Sequence, residues 1–227
     1  KDGVKSGVIS LGGNVQAIGT KTDGSRWKVG VQSPDDTESM IGAYEAADEA
    51  VITSGAYERY FEKDGKTYHH IIDPATGKPS EKDLKSVTII SKNGTLSDTL
   101  STTLFVMGKD KAISYWKEHS KEFNMILVDE THFDLDFYGG NGFLVTPKLN
   151  GSTAEIVFDA YVTGTAEKVI VTVSDRNGKR IGDAELARSG DKYTGSLVIE
   201  NVHRWNGVKD PYAGYKFGQY VRKTGLI

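Results

Sequence analysis

Apolar residues in this chain come in short runs, each closed by glycine, asparagine or aspartate, and that punctuation dictates a fold of brief strands joined by tight turns. Gly7-Val8-Ile9-Ser10-Leu11 reads as a strand stopped by Gly12-Gly13-Asn14. Val15 to Gly19 and Trp27 to Val31 follow as two more, with hairpin chemistry at Thr22-Asp23-Gly24-Ser25 between them. Ala47 to Thr53, Tyr60 to Glu62, Tyr68 to Asp73 and Val87 to Ser91 continue the pattern, with a turn at Asp64-Gly65-Lys66. No run approaches the ~20 apolar residues of a membrane span, so no transmembrane segment is expected in this chain.

Helical spacing appears twice. Leu100, Leu104 and Met107 recur at i, i+4, i+7 within Leu96 to Met107, and Gly108 supplies the stop. Lys109 to Phe123 places Ala112, Tyr115 and Trp116 on one face. Met125 to Val128 then reads as a buried strand. The expected class is α+β, antiparallel sheets with a few helices, followed by a small all-β sandwich. The break is expected among the glycines and asparagines from Gly139 to Ser152, giving domains 1–146 and 147–227. Beyond it, Val169, Val171 and Val173 alternate with Ile170, Thr172 and Ser174, a turn is expected at Asp175-Arg176-Asn177-Gly178, and Tyr193 to Glu200 is another strand.

Composition excludes several classes. With 227 residues, 37% hydrophobic, the chain is long enough to bury about 70% of its unfolded surface as one body. The 28 basic and 31 acidic side chains leave a formal charge of −3, which argues against a generally basic nucleic-acid binder. There is no cysteine, hence no disulfide, no Cys-ligated zinc and no thiol nucleophile. GxxxxGK, GxSxG and HExxH are all absent. The opening Lys1-Asp2-Gly3-Val4 shows no signal peptide, and without an initiator Met the chain reads as a piece of something longer.

Two stretches can carry chemistry. Tyr68-His69-His70-Ile71-Ile72-Asp73-Pro74-Ala75-Thr76-Gly77 sets a strand-borne imidazole, His70, before a tight turn, where it can exchange a proton or bond a phosphate. The same residues also fit a strand end with Asp73 capping backbone amides and solvated histidines. In Gly94 to Leu104, Asp98 and Thr102 share a helix face and offer two hard oxygens to Mg²⁺. The alternative is that Ser97 or Asp98 caps the helix while Thr102 bonds its own backbone. Gly12-Gly13 can bring backbone amides close to a ligand, and Thr53-Ser54-Gly55-Ala56-Tyr57-Glu58-Arg59 offers hydroxyls, a ring and a guanidinium.

Taken in order, Ile9 to Asn14, Trp27 to Val31, Thr53-Ser54-Gly55 with Tyr57-Glu58-Arg59, His69 to Gly77, and Ser97-Asp98 with Leu100-Ser101-Thr102 resemble the ApbE family of FAD:protein FMN transferases. The resemblance covers roughly the first three fifths of the chain and implies a T-fold-related architecture. It implies cleavage of FAD and Mg²⁺-dependent attachment of FMN to a threonine of an acceptor flavoprotein. By position it implies that Asp98 and Thr102 bind the metal, with Asp98 or His70 as the catalytic base. It further implies that Gly12, Gly13, Thr53, Ser54, Gly55, Tyr57 and His70 surround the flavin nucleotide, and that the protein is exported and works outside the cytoplasm, with membrane anchoring left open for the full-length form. The family's amino-terminal part, including its DxGGIAKG segment, is not in this sequence. Two alternatives stand beside transfer: hydrolysis of FAD to FMN and AMP, with water replacing the acceptor threonine, and, because of that missing segment, a non-catalytic flavin-binding or structural fragment. Val198 to Tyr212 more weakly resembles the end of the immunoglobulin-like domain of family 2 glycoside hydrolases, where Trp205 and Tyr212 would shape the sandwich.

Overall fold

The computed structural model describes residues 3–35, 38, 40–129, 135–139, 143–150, 153–160, 166, 168–175, 180–190, 192–200 and 215–216. The chain divides into two compact units, Lys1–Leu135 and Asp136–Ile227.

In the first unit, β1 (Gly7–Leu11) and β2 (Asn14–Ile18) form a hairpin. Gly12 (φ 57°) and Gly13 (φ 91°) both lie at positive φ, as a two-residue primed turn requires. After β3 (Trp27–Gln32) and β4 (Met40–Ala46) comes β5 (Ala50–Gly55). Then follow β6 (Tyr60–Lys63), β7 (Lys66–His69), β8 (Ile72–Asp73), β9 (Lys78–Pro79) and β10 (Leu84–Ser91). Helices α1 (Gly94–Met107) and α2 (Lys109–His119) lead into β11 (Asn124–Asp129). The antiparallel order β1-β2-β5-β10-β11 makes the sheet, with β3–β4, β6–β7 and β8–β9 as separate hairpins. Trp116 is fully buried and its Nε1 donates to the Phe123 carbonyl at 3.2 Å, closing α2 onto β11.

Several expected boundaries move for local reasons. The strand expected from Ala47 starts at Ala50, because Asp48 turns the chain at φ 55°. Strand β4, unmarked by any expectation, pairs with β3. The strand expected over Tyr68 to Asp73 is interrupted at His70 and Ile71, where the His70 amide bonds back to the Arg59 carbonyl at 3.1 Å. Helix α2 stops at His119, short of Phe123.

In the second unit, β12 (Leu135–Gly139), β13 (Phe143–Asn150), β14 (Thr153–Ala160), β15 (Val169–Asp175), β16 (Arg180–Ser189), β17 (Lys192–Ile199) and β18 (Tyr215–Lys216) are ordered β12-β13-β14-β17-β16-β15-β18, all antiparallel. Strand β16 pairs with β15 through its first half and β17 through its second. Ile156, Phe158, Val171, Val173, Leu186 and Tyr193 share one buried core. The unit division precedes the break expected at 146/147, since β13 runs through that point and pairs along its length with β14. Trp205, Tyr212 and the turn residues 176–178 lie outside the described residues.

Candidate functional site

The registers of β5 and β10 decide which side chains reach α1. Ser54 lies opposite Val87 and Thr53 opposite Thr88, so by strand alternation the two hydroxyls face opposite sides of the sheet. Helix α1 packs on the Ser54 side. There Ser54 Oγ lies 2.9 Å from Ser101 Oγ and 3.0 Å from Thr102 Oγ1. Thr53 instead bonds Thr88 at 2.8 Å on the other face. Thr53 therefore faces away from Ser54 and α1.

Asp98 sits one turn before Thr102 on the same exposed helix face. The β1–β2 turn reaches it from the far end of the sequence: Asn14 Nδ2 donates to Asp98 Oδ1 at 3.0 Å. Neither Ser97 nor Asp98 caps α1. Asn93 is the cap, its side chain accepting from the Leu96 amide, while fully buried Ser97 bonds Ser91 at 2.9 Å. Thr102 turns its hydroxyl to Ser54 rather than to its own backbone, the arrangement that Thr99 and Thr103 adopt. A carboxylate and a hydroxyl one turn apart suit a small hard cation that keeps waters and phosphate oxygens in its remaining positions. No group of three or more His, Asp or Glu capable of holding a metal occurs among the described residues, so such a cation would depend on ligands beyond these two.

The two histidines separate in role. His69 is half-buried, its Nε2 3.0 Å from the Ser80 carbonyl and its ring edge-on to Phe105. His70 is exposed, with Nδ1 3.2 Å from the Arg59 carbonyl. A carbonyl only accepts, so Nδ1 carries the hydrogen and the neutral ring keeps its lone pair on Nε2. Asp73 caps the following turn as expected, accepting from the Ala75 amide at 2.8 Å.

Between these elements lies the loop after β5. A methyl group at Gly55 would run into the Tyr57 ring, so glycine there is what lets the ring lie against the strand. Burial, with help from Glu58, pushes the Tyr57 hydroxyl up to about 12, so it stays a neutral donor. Burial also holds the Glu58 carboxyl above its ordinary range, partly offset by His70 and then Arg59. Its Oε1 faces Gly13, placing a carboxylate between the β1–β2 turn and His70. Asn14, Glu58 and Ser101 were not expected as site residues. All three do stand inside the motifs that carry the resemblance, but their contacts depend on long-range pairing.

The sequence profile of the ApbE family matches residues 1–127. The chain is 42% identical over 109 residues to an FAD:protein FMN transferase of Klebsiella pneumoniae (strain 342), covering 48% of this chain and 33% of that protein. It is 41% identical over 122 residues to one from Treponema pallidum (strain Nichols), covering 50% and 34% respectively. It thus spans about a third of the curated relatives it matches. Among solved structures, the apbe protein of Thermotoga maritima superposes with a TM-score of 0.53 at 38% identity, over 58% of this chain and 42% of that one. A flavin transferase ApbE from Vibrio cholerae gives 0.50 at 30% identity, over 60% and 42%.

Proposed function

The chain belongs to the ApbE family, and on that premise we propose that it carries the Mg²⁺-dependent FAD:protein FMN transferase site, moving FMN from FAD to a threonine hydroxyl of an acceptor flavoprotein. The observation that carries the reading is the convergence of three distant segments, the β1–β2 turn, β5 and α1, on one hydrogen-bonded group of Asn14, Ser54, Asp98, Ser101 and Thr102.

In the transfer, the acceptor threonine oxygen bonds to the phosphorus of the FMN half as the bond from that phosphorus to the AMP oxygen breaks. AMP leaves with the bridging oxygen, and the threonine proton goes to a base. His70 fits that role, because its Nδ1 contact with Arg59 leaves Nε2 as the acceptor. Asp98 and Thr102 would hold Mg²⁺, which when bound neutralises charge on the pyrophosphate and its transferring phosphoryl group. Gly12 and Gly13 let the backbone approach the nucleotide, and Tyr57, seated over Gly55, flanks the flavin. Thr53, whose hydroxyl bonds Thr88, is read as supporting the sheet. The second unit is read as an appended β-sandwich, and the protein as working outside the cytoplasm.

The test is to incubate the full chain with FAD, Mg²⁺ and an acceptor flavoprotein and weigh the acceptor. Transfer makes it heavier by one FMN unit. Release of FMN and AMP with no mass gain identifies hydrolysis instead, and unaltered FAD overturns the enzymatic reading.

A further inference from the structure

The hydroxyls beneath Asp98 and Thr102 can be oriented by counting hydrogens. Ser101 Oγ donates to the Asp98 carbonyl at 2.9 Å, and a carbonyl can only accept. That uses the one hydrogen of Ser101. In the 2.9 Å contact between Ser54 and Ser101, Ser54 must therefore be the donor. Its own hydrogen is then committed, so in the 3.0 Å contact with Thr102 the threonine donates. The chain of donation runs Thr102 to Ser54 to Ser101 to the Asp98 carbonyl. Ser101 is fully buried, which shields its link in the chain from competition by water.

The consequence falls on Thr102. A free hydroxyl rotates among staggered positions, some of which turn its hydrogen toward an approaching cation. Here the hydrogen is drawn inward to Ser54, and the oxygen keeps its lone pairs for the exposed side. The relay ends on the backbone of Asp98, whose carboxylate is the other candidate ligand, so both donors rest on one network.

We infer that Ser54 and Ser101 are positioning residues, a directional hydroxyl relay that turns the Thr102 oxygen outward as a ready-made cation ligand. This rests on the metal reading above, and it reassigns Ser54 from nucleotide contact to support of Thr102. Outer partners of this kind are worth about tenfold or more in metal affinity elsewhere.

The experiment titrates Mg²⁺ alone into the full chain by calorimetry and follows thermal melting of the same samples. Ser54→Ala and Ser101→Ala should each weaken Mg²⁺ binding by about tenfold. The double variant should lose little more than either single one, since both cut the same relay. Single variants within about twofold of wild type, beside a Thr102→Val variant that loses binding, overturn the relay and leave the metal site standing. So do losses that multiply and simply follow the melting temperature, which is the mark of a packing role. If Asp98→Ala and Thr102→Val bind Mg²⁺ like wild type, or wild type takes up none, the metal reading fails and the relay with it.

Discussion

Glu58 shows how far one side chain can be read from its surroundings. Burial disfavours its charged form and lifts its carboxyl above the ordinary range, while its electrostatic interactions with His70 and then Arg59 offset only part of this. A carboxyl that titrates higher in the folded state binds its proton more tightly there. Its contribution to stability is then full below the unfolded value and is lost as pH rises through the folded one. At neutral pH the ionised group is a cost that glutamine of the same shape avoids. Glu58→Gln should therefore melt at or above wild type at pH 7, with the gap closing as pH falls below the carboxylate range. Melting curves across that range check it. A variant that melts lower at pH 7 would mean that the interactions with His70 and Arg59 outweigh burial.

At the scale of an element, α1 matters most, because it carries both Asp98 and Thr102 in its first nine residues. Its start depends on Asn93, which holds a β-region backbone (φ −109°, ψ 104°) and accepts from the Leu96 amide at 3.2 Å. Removing such a cap costs about 1 kcal/mol. Asn93→Ala should lower the melting temperature of the first unit by a few degrees and weaken Mg²⁺ binding, because fraying reaches the turn that seats Asp98. Asn93→Asp, which keeps an acceptor at the cap, should restore both. A loss of stability that Asp fails to recover would place the role of Asn93 outside capping. This helix also marks where sequence reasoning worked. Leu100, Leu104 and Met107 at helical spacing, with Gly108 behind them, gave its face and its end, and Gly108 is indeed the cap at φ 83°. The β1–β2 hairpin was legible for the same local reason, two glycines where two positive φ angles are needed. What stayed hidden is what register decides. Thr53 and Ser54 are neighbours in sequence, and only the pairing of β5 with β10 shows that they face opposite ways. The reach of Asn14 to Asp98 spans 84 residues, and no periodicity encodes it. Strand β4 gave no alternation clear enough to separate it from a loop.

At the scale of the whole molecule, the candidate chemistry belongs to one unit and a second core to the other. The site side chains, from Gly12 to Thr102, all belong to the first unit, whose core is built around Leu104, Trp116 and Leu127. The second unit has its own core around Ile156, Phe158, Val171 and Leu186, contributed by β14, β15 and β16. Hydrophobic burial is the main force holding each together. Phe158 is fully buried, so Phe158→Ala removes a ring that its antiparallel neighbours cannot close over, at a cost of about 3–5 kcal/mol. If the units are energetically separate, calorimetry should resolve two transitions and the variant should lower one of them. Mg²⁺ and FAD binding, measured below that transition, should stay at the wild-type level. The converse substitution, Trp116→Ala, should lower the other transition and take binding with it. A single transition that both variants move together would mean that the second unit supports the first, and that its strands belong in any account of how Asp98 and Thr102 are held.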